Sequence, residues 1–218
     1  MRFLVIVGSQ RKGNGFQAGS IMIEEARRCG ATANLIFLGT QQLDFCQGVC
    51  HHQCHPRDDK GYLLPGGWQH CTREDDGARI LKSMVEADVL VLISPVLFGN
   101  MSSNLKILME RTNALCSFDQ EKDFSFLAGK IGGAVAIGGA RHGGQERVLS
   151  DMMHYFAIVQ MMPLGLGEYQ APQGLALVAD GLGDLGHDQW VDYGIKQADA
   201  KRYLIAYTKK LLGYHPSV

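Results

Sequence analysis

Four of the six cysteines of this 218-residue chain lie in one stretch, and their type and spacing allow chemistry. Cys46, Cys50 and Cys54 are each separated by three residues, and Cys71 follows after sixteen more. Four thiolates held close together can bind zinc or an iron–sulfur cluster. The same cysteines could instead form disulfides or pack in a core, so the rest of the chain must decide between these roles.

Composition and charge exclude several classes of function. The formal net charge of −1 provides no basic field for nucleic acid, and 46% hydrophobic residues suffice for a full buried core. The apolar run at 3–7 is too short for a signal peptide or a membrane span, and no other segment approaches membrane length. We therefore expect a cytoplasmic protein, where reducing conditions disfavour disulfides and favour metal binding or redox chemistry.

Strands and helices are predicted to alternate along the chain. Apolar runs rich in branched residues predict buried strands at 3–7, 33–38, 89–93 and 131–137, with a weaker fifth strand at 163–167. Helices are predicted at about 16–28, 78–86, 102–115, 145–159 and 193–212. This alternation predicts an α/β fold: a flavodoxin-like, doubly wound, five-stranded parallel sheet in a single domain of residues 1–218.

The connection after the second predicted strand is unusually long. Residues 39–77 show little periodicity, contain the four clustered cysteines and include the turn Pro65-Gly66-Gly67. Structureless connections of this length are uncommon in compact domains and are usually functional. We therefore expect a long cysteine-rich insertion after strand 2.

The loop from Gly8 to Gly15, after the first predicted strand, has a composition that suits phosphate binding. Backbone N–H groups and the helix dipole favour an anion there, and the loop adds hydroxyl, amide and guanidinium donors. Its spacing is neither that of a P-loop nor that of a dinucleotide fingerprint, and a plain strand-to-helix turn is the alternative. The candidate phosphate-binding residues are Ser9, Arg11, Lys12, Asn14 and Gly15.

The loops after the third and fourth predicted strands should meet the first loop beyond the carboxyl ends of the strands. Residues 94–100 are mostly apolar, which favours contact with a flat aromatic ligand or with a partner subunit. Residues 138–144 are rich in glycine and would let the backbone approach a ring closely. His142 there could contact a ligand, donate a proton or be a solvated loop residue. The candidate residues in these two loops are Pro95, Val96, Leu97, Phe98, Gly99, Asn100, Gly138, Gly139, His142 and Gly143.

These three loops resemble those of the NADPH-dependent FMN reductase superfamily. Residues 8–11, Gly-Ser-Gln-Arg, are similar to its Gly-Ser-Pro-Arg loop for the FMN phosphate, and residues 94–100 are similar to its Ser-Pro-Val-Tyr-Phe-Gly loop. Residues 143–146, Gly-Gly-Gln-Glu, are similar to its third loop. The cysteines ahead of Asp75-Asp76 resemble one branch, the iron–sulfur flavoproteins, and the whole resemblance covers about residues 2–167.

The resemblance implies an FMN cofactor and a homodimer or homotetramer with the flavin at a subunit interface. The first loop would hold the phosphate and the second would contact the isoalloxazine ring. The chain departs from the family pattern where Gln10 replaces Pro, Leu97 replaces Tyr and Gly15-Phe16 replaces Asn-Thr. The expected partners are a redox donor and acceptor, such as NAD(P)H, a ferredoxin or a quinone, and neither nucleic acid nor a membrane. The flavin carries the reaction, so no catalytic side chain is assigned.

The branch usually has two residues between each of its first three cysteines and a short gap to the fourth. This chain is more widely spaced, but Cys71 still lies four residues before Asp75, as the fourth cysteine does in the branch. An insertion before Cys71 would explain the spacing, since loop insertions cost little. We interpret the four clustered cysteines as ligands of a [4Fe–4S] cluster; zinc, favoured by nearby histidines, and metal-free thiols are the alternatives. Cys29 and Cys116 fall on predicted helices and are interpreted as packing residues.

Three functional hypotheses follow. The first is an iron–sulfur flavoprotein that passes electrons between a donor and an acceptor through FMN and a cluster. The second is a cluster-free NAD(P)H-dependent flavin or quinone reductase. The third is a flavodoxin-like carrier whose zinc loop docks a partner and which catalyses no reaction.

Overall fold

A computed structural model describes most of the chain. The described residues are 1–48, 71, 73–119, 122–140, 143–167, 173–179, 190–191 and 197–213. The predictions for Cys50, Cys54 and His142, and for most of the cysteine-rich insertion, lie outside them.

The elements alternate along the chain, as predicted. In chain order they are β1 (Arg2–Val7), α1 (Asn14–Arg28), β2 (Thr32–Phe37), α2 (Gly77–Glu86), β3 (Val89–Pro95), α3 (Ser103–Arg111), β4 (Cys116–Asp119), β5 (Lys122–Ser125), β6 (Ile131–Gly138), α4 (Gln145–Ile158), β7 (Met162–Pro163), β8 (Leu175–Ala179), β9 (Trp190–Val191) and α5 (Gln197–Gly213). Short 3₁₀ turns follow β2 at Leu38–Thr40 and α3 at Thr112–Leu115.

The main sheet has the order β2-β1-β3-β6-β8 in its parallel part, and β9 adds an antiparallel edge. This is the strand order of a doubly wound flavodoxin-like fold, in which the order reverses between β1 and β3. The predicted α/β fold class is therefore confirmed. Ligands bind such sheets beyond the carboxyl ends of the strands at this reversal, which directs attention to the loops after β1, β3 and β6.

The core lies on both faces of the sheet because side chains alternate along each strand. In β1, Leu4 and Ile6 pack on one face with the helices α2, α3 and α4. Phe3, Val5 and Val7 pack on the other face with α1 and α5. Strands buried on both faces are continuous apolar runs, which is why the first four were recognisable from the sequence.

The fifth strand was predicted in the wrong place. Of the predicted segment 163–167, only Pro163 belongs to a strand, and that strand is the two-residue β7. Proline lacks a backbone donor and the glycines that follow disfavour a strand, and the pairing with β6 ends after the N–H of Leu164 donates to the carbonyl of Gly132 at 2.8 Å. The fifth parallel strand is β8, the apolar run Leu175–Ala179, which pairs with the carboxyl end of β6.

The helix predicted at about 102–115 is present as α3, which ends at Arg111 and is followed directly by the 3₁₀ turn at Thr112–Leu115. In that turn the hydroxyl of Thr112 donates to the carbonyl of Met109 at 2.5 Å. Cys116 therefore starts β4, not a helix end, although it is buried as a packing residue would be. Cys29 is exposed at the end of α1, so it does not pack in the core.

No helix in the described part of the chain is at once long and apolar enough to cross a bilayer.

Candidate functional site

The loop after β1 is held tightly against its neighbours. The backbone N–H of Gly8 donates to the carbonyl of Ile93 at 2.8 Å. A Cβ at Gly8 would lie 2.7 Å from Ser102 Oγ and 2.8 Å from Leu105 Cβ, so this position accepts only glycine without rearrangement. Ser9 is buried and its hydroxyl donates to the carbonyl of Arg11 at 2.9 Å. The hydroxyl proton of Ser9 is therefore used in a hydrogen bond within the loop. The hydroxyl oxygen can still accept a hydrogen bond from a ligand.

The N-terminus of α1 is open to an anion. The helix begins after Gly13 with no side-chain cap and no acidic residue in its first turn. Its first N–H groups and the positive end of its dipole are therefore available to a phosphate. Arg11 and Lys12 are exposed beside it, and no ion pair joins either one to an acidic side chain among the described residues. Lys12 lies over the ring of Phe16, with its Nζ 5.1 Å from the ring centre.

The loop after β3 is a tight turn that presents an aromatic ring to solvent. Leu97 and Asn100 exchange two backbone hydrogen bonds of 2.8 and 3.0 Å, and the two residues between them, Phe98 and Gly99, have φ angles of 50° and 75°. Positive φ at both central positions defines a type I′ turn. Such a conformation is strained for phenylalanine, and the Phe98 side chain is fully exposed. A strained, exposed ring is typical of a surface that contacts a ligand or a partner.

This turn is anchored to α3. Ser94 is fully buried; its hydroxyl donates to the carbonyl of Pro95 at 2.8 Å and accepts from the backbone N–H of Ser102 at 3.0 Å. Ser102 in turn caps α3 by accepting from the N–H of Leu105. The backbone N–H of Val96 donates to the carbonyl of Ile137 at 2.8 Å. The turn and the start of α3 therefore form one connected unit.

The loop after β6 touches the loop after β3. Gly144 has a φ of 106°, and a Cβ there would lie 3.0 Å from the Cα of Gly99. The next residue, Gln145, is fully buried, and its Nε2 donates to the carbonyl of Ala140 at 2.8 Å. Its Oε1 has no hydrogen-bond partner among the described residues. Because an unpaired buried acceptor costs about 1–3 kcal/mol, this oxygen suits a donor that arrives with a ligand.

The structure thus brings the three predicted loops together at one edge of the sheet. Gly8 of the first loop contacts Ile93 and Ser102, on either side of the second loop, and Gly144 of the third loop lies against Val96 and Gly99. That these residues bind a cofactor stays a prediction. A groove of about 980 Å³ between α1 and the edge strand β2 adjoins the first loop at Lys12, and a second groove of about 650 Å³ adjoins the second loop at Asn100.

A second polar site surrounds Arg111, the last residue of α3, which is only 1% exposed. Its two Nη atoms donate to the carboxylate of Asp75 at 2.7 and 2.9 Å in a bidentate ion pair. Nη1 also donates to the carbonyl of Asp44 at 2.8 Å, and Nε donates to Cys71 Sγ at 3.1 Å. One guanidinium therefore binds both sides of the cysteine-rich segment.

The carboxylate of Asp75 is held by more than the ion pair. The backbone N–H groups of Asp44 and Gly77 each donate to it at 2.9 Å. Burial alone would raise the pKa of Asp75. The hydrogen bonds from Arg111 and from these two N–H groups outweigh burial and lower the pKa of Asp75 to about 2. A Cβ at Gly77 would lie 2.5 Å from Arg111 Nη2, so the position must be glycine for this pair to form as it does.

Further bonds fasten the segment around residue 44 to the start of α2. The backbone N–H of Asp76 donates to the carbonyl of Gln42 at 3.1 Å, and the N–H of Gln42 donates to the Asp76 carboxylate at 2.9 Å. Arg73 Nη2 lies 2.6 Å from Asp44 Oδ2. The chain before Cys46 and the chain after Cys71 are thereby tied together.

Of the clustered cysteines, Cys46 and Cys71 are described, the first partly exposed and the second buried. Within the described part of the chain, no group of three or more histidine, cysteine or acidic side chains is placed to hold a metal ion. The four-cysteine site therefore stays a prediction. One described contact is compatible with it, since the Cys71 sulfur accepts a hydrogen bond from the Arg111 guanidinium, which is a favourable neighbour for a metal-ligating sulfur.

Arg111 is the functional candidate that sequence reasoning missed. The sequence held a signal, because Arg111 follows Leu105 and Leu108 at a spacing of three positions, which puts a charged residue in line with the apolar face of α3. The structure shows all three residues buried. The partner carboxylate lies 36 residues earlier in the chain, so the pairing itself needed the fold.

The helix α3 connects the two sites. Leu105 on this helix packs against Gly8 of the first loop, and Ser102 at its N-terminus bonds to Ser94 of the second loop. Arg111 at its other end binds the cysteine-rich segment. Arg111 lies six positions after Leu105, a rise of about 9 Å along the helix axis.

Comparisons with known proteins agree with this architecture. A family model described as NADPH-dependent FMN reductase matches residues 1–176. An iron–sulfur flavoprotein of Methanocaldococcus jannaschii is 32% identical over 217 residues, which cover 97% of this chain and 99% of that protein. A NAD(P)H dehydrogenase (quinone) of Paracoccus denitrificans is 29% identical over 118 residues, which cover 49% of this chain and 53% of that protein.

A solved structure of RosB with a bound flavin derivative, 8-demethyl-8-formylriboflavin-5′-phosphate, has a similar fold. The TM-score is 0.61 at 16% sequence identity, and the match covers 97% of this chain and 78% of that one. At this identity the likeness supports the fold alone.

Proposed function

We propose an electron-transfer function for this chain, which belongs to the NADPH-dependent FMN reductase family and to its iron–sulfur flavoprotein branch. Membership makes it an FMN-dependent oxidoreductase. In our proposal it passes electrons between a donor and an acceptor through FMN and a [4Fe–4S] cluster at Cys46, Cys50, Cys54 and Cys71. FMN supplies two-electron chemistry that can be released in single steps, and a cluster supplies one-electron transfer.

The first loop would hold the FMN phosphate. The uncapped start of α1 offers backbone donors, and Arg11 and Lys12 offer positive charge without a competing acidic partner among the described residues. Asn14 and Gly15 lie in the first turn of the helix, where Gly15 packs closely on Val7. Ser9 would keep the loop in shape through its bond to Arg11.

The second and third loops would hold the isoalloxazine ring. The apolar turn at 95–100 would contact one side of the ring, and Gly138, Gly139 and Gly143 would line the opposite side. His142, also predicted to contact the cofactor, lies outside the described residues. The buried Oε1 of Gln145 lacks a partner within the described chain and would suit a ring N–H. The role of these residues is to bind and orient the ring and to exclude water from it.

The observation that carries the cluster proposal is the position of Arg111. It ties Asp44, two residues before Cys46, to Cys71, and it does so at the end of the helix that starts beside the ring loop. The residues that would hold the cluster and those that would hold the ring lie at opposite ends of α3, an arrangement that suits an electron relay. The residue pattern Cys71 followed by Asp75 is thus explained, because Asp75 positions Arg111 against the Cys71 sulfur.

The reaction partners are proposed from the family. A nicotinamide or quinone partner is supported by the similarity to the NAD(P)H dehydrogenase (quinone), and a ferredoxin is the alternative donor. The exposed Phe98, with Leu97 beside it at 40% exposure, would contact a second copy of the chain in a homodimer or homotetramer. We further propose that residues 1–218 form one domain that works in the cytoplasm.

The variant Cys46→Ser tests this function, with Cys29→Ser as the matched control because Cys29 is exposed and lies outside the cluster. We expect Cys46→Ser to lose its iron. Its rate with a one-electron acceptor should fall at least tenfold, while FMN binding and quinone reduction persist. The control should behave as the wild type. Retention of both iron and one-electron rate in Cys46→Ser would contradict the cluster proposal.

A second candidate is a cluster-free NAD(P)H-dependent quinone reductase, favoured by the same quinone-linked relative. It predicts full quinone reductase activity in a wild-type protein that contains FMN and no iron.

A further inference from the structure

The buried guanidinium of Arg111 uses most of its hydrogen-bonding capacity. Of its five N–H donors, two on Nη1 reach Asp44 and Asp75, one on Nη2 reaches Asp75, and the Nε donor reaches Cys71 Sγ. The fork is planar, so the two bonds to Asp75 fix the direction in which the Nε–H points. That direction is the sulfur of Cys71, at 3.1 Å.

A charged donor aimed at a ligand sulfur changes the electronics of a bound cluster. Hydrogen bonds to cluster sulfurs are one of the levers that set reduction potential. The bond withdraws electron density from the sulfur, so it stabilises the form that carries one more electron. The surroundings strengthen the effect, because Cys71 and Arg111 are both buried and a buried hydrogen bond is weakly screened.

We infer that Arg111 is a positioning residue that raises the reduction potential of the bound cluster through the hydrogen bond from its Nε to Cys71 Sγ. The inference rests on the proposed function, because it requires Cys71 to be a cluster ligand. The step that it tunes is the addition of one electron to the cluster from the flavin side, with no bond formed or broken in the protein. Asp75 acts through Arg111 by fixing the fork.

Two variants separate this role from a merely structural one. Arg111→Lys keeps the positive charge but lacks the planar fork, so it cannot hold both Asp75 oxygens and also donate to Cys71 in the same geometry. Asp75→Asn keeps the shape of the side chain and removes a negative charge near the cluster. A structural role predicts that both variants lose stability and that Arg111→Lys leaves the potential of the cluster unchanged.

The measurement is the midpoint potential of the cluster in the intact protein, from an anaerobic redox titration followed by electron paramagnetic resonance. We expect Arg111→Lys to lower the equilibrium constant for one-electron reduction about tenfold, which is about 59 mV. Asp75→Asn removes a negative charge and also loosens the fork, and these two changes shift the potential in opposite directions, so this variant serves as a control for stability alone. An unchanged or raised potential in Arg111→Lys would overturn the inference.

A measurement on the wild type decides the matter if Arg111→Lys does not retain its cluster. With ¹⁵N-labelled arginine, pulsed magnetic resonance of the reduced cluster should show a coupling to an arginine nitrogen, and its absence would overturn the inference. Wild-type protein without iron would overturn the proposed function as well. Iron present with no arginine coupling would remove this inference alone.

Discussion

Asp75 and Arg111 form a bidentate ion pair whose side chains are both fully buried, with N–O distances of 2.7 and 2.9 Å. The pair joins the start of α2 to the end of α3 and fixes the two ends of the cysteine-rich segment. A buried charge pair contributes little net stability compared with apolar packing, but removing one partner leaves an uncompensated charge. The pair therefore makes the geometry of this segment depend on both residues.

Replacing one member of this pair should destabilise the fold strongly. We expect Asp75→Ala to lower the free energy of unfolding by about 3–5 kcal/mol, since the guanidinium would stay buried without its counter-ion. Urea unfolding followed by circular dichroism measures the loss. Glu24→Ala is the control, because its ion pair with Arg28 is exposed and contributes almost nothing. Equal losses in the two variants would contradict this role for the buried pair.

The low pKa of Asp75 predicts a particular pH dependence of stability. Its folded-state pKa of about 2 lies below the ordinary value of 3.8, so the carboxylate stabilises the folded state above pH 4. That contribution, on the order of 2 kcal/mol, should be lost progressively as the pH falls from about 4 to about 2. The difference in unfolding free energy between wild type and Asp75→Asn, measured from pH 7 to 2.5, should shrink across this window. A constant difference would contradict the assignment.

Arg11 should recognise the phosphate of the cofactor and not its ring. We expect Arg11→Ala to weaken FMN binding roughly tenfold, because a charge-assisted hydrogen bond is lost. Binding of riboflavin, which has no phosphate, should stay unchanged. Quenching of flavin fluorescence measures both affinities, with Arg28→Ala as a control on the far end of α1. A similar loss for both flavins would place Arg11 elsewhere in the site.

The strained turn at Phe98 predicts opposite effects on stability and on binding. Glycine adopts a φ of 50° without strain, so Phe98→Gly should raise the free energy of unfolding of the cofactor-free protein by about 1 kcal/mol. Loss of the exposed ring should at the same time weaken FMN binding or self-association, measured by fluorescence titration and sedimentation. If stability rose and neither kind of binding changed, the ring would have no part in the site.

How much the sequence could predict depended on the range of the interactions involved. The strand at Val89–Pro95 was recognisable because local burial on both faces dictates an apolar run. The weaker strand near residue 163 was misplaced because a short apolar run beside proline and glycine does not reveal where pairing continues.

The candidate site shows the same limit. The three loops could be placed together from topology, since carboxyl ends of parallel strands share an edge. The pairing of Arg111 with Asp75 could not be predicted, because only the fold brings these two residues together. The unpaired Oε1 of Gln145 likewise depends on how the third loop packs.

The metal and flavin content of the purified protein tests the central claim most directly. Iron, acid-labile sulfide, zinc and FMN should be determined on one anaerobic sample, together with its absorption spectrum. We predict about four irons and four sulfides per chain alongside one FMN. One zinc per chain with no iron would contradict the cluster, and a protein that stays colourless after FMN addition would contradict the flavin site.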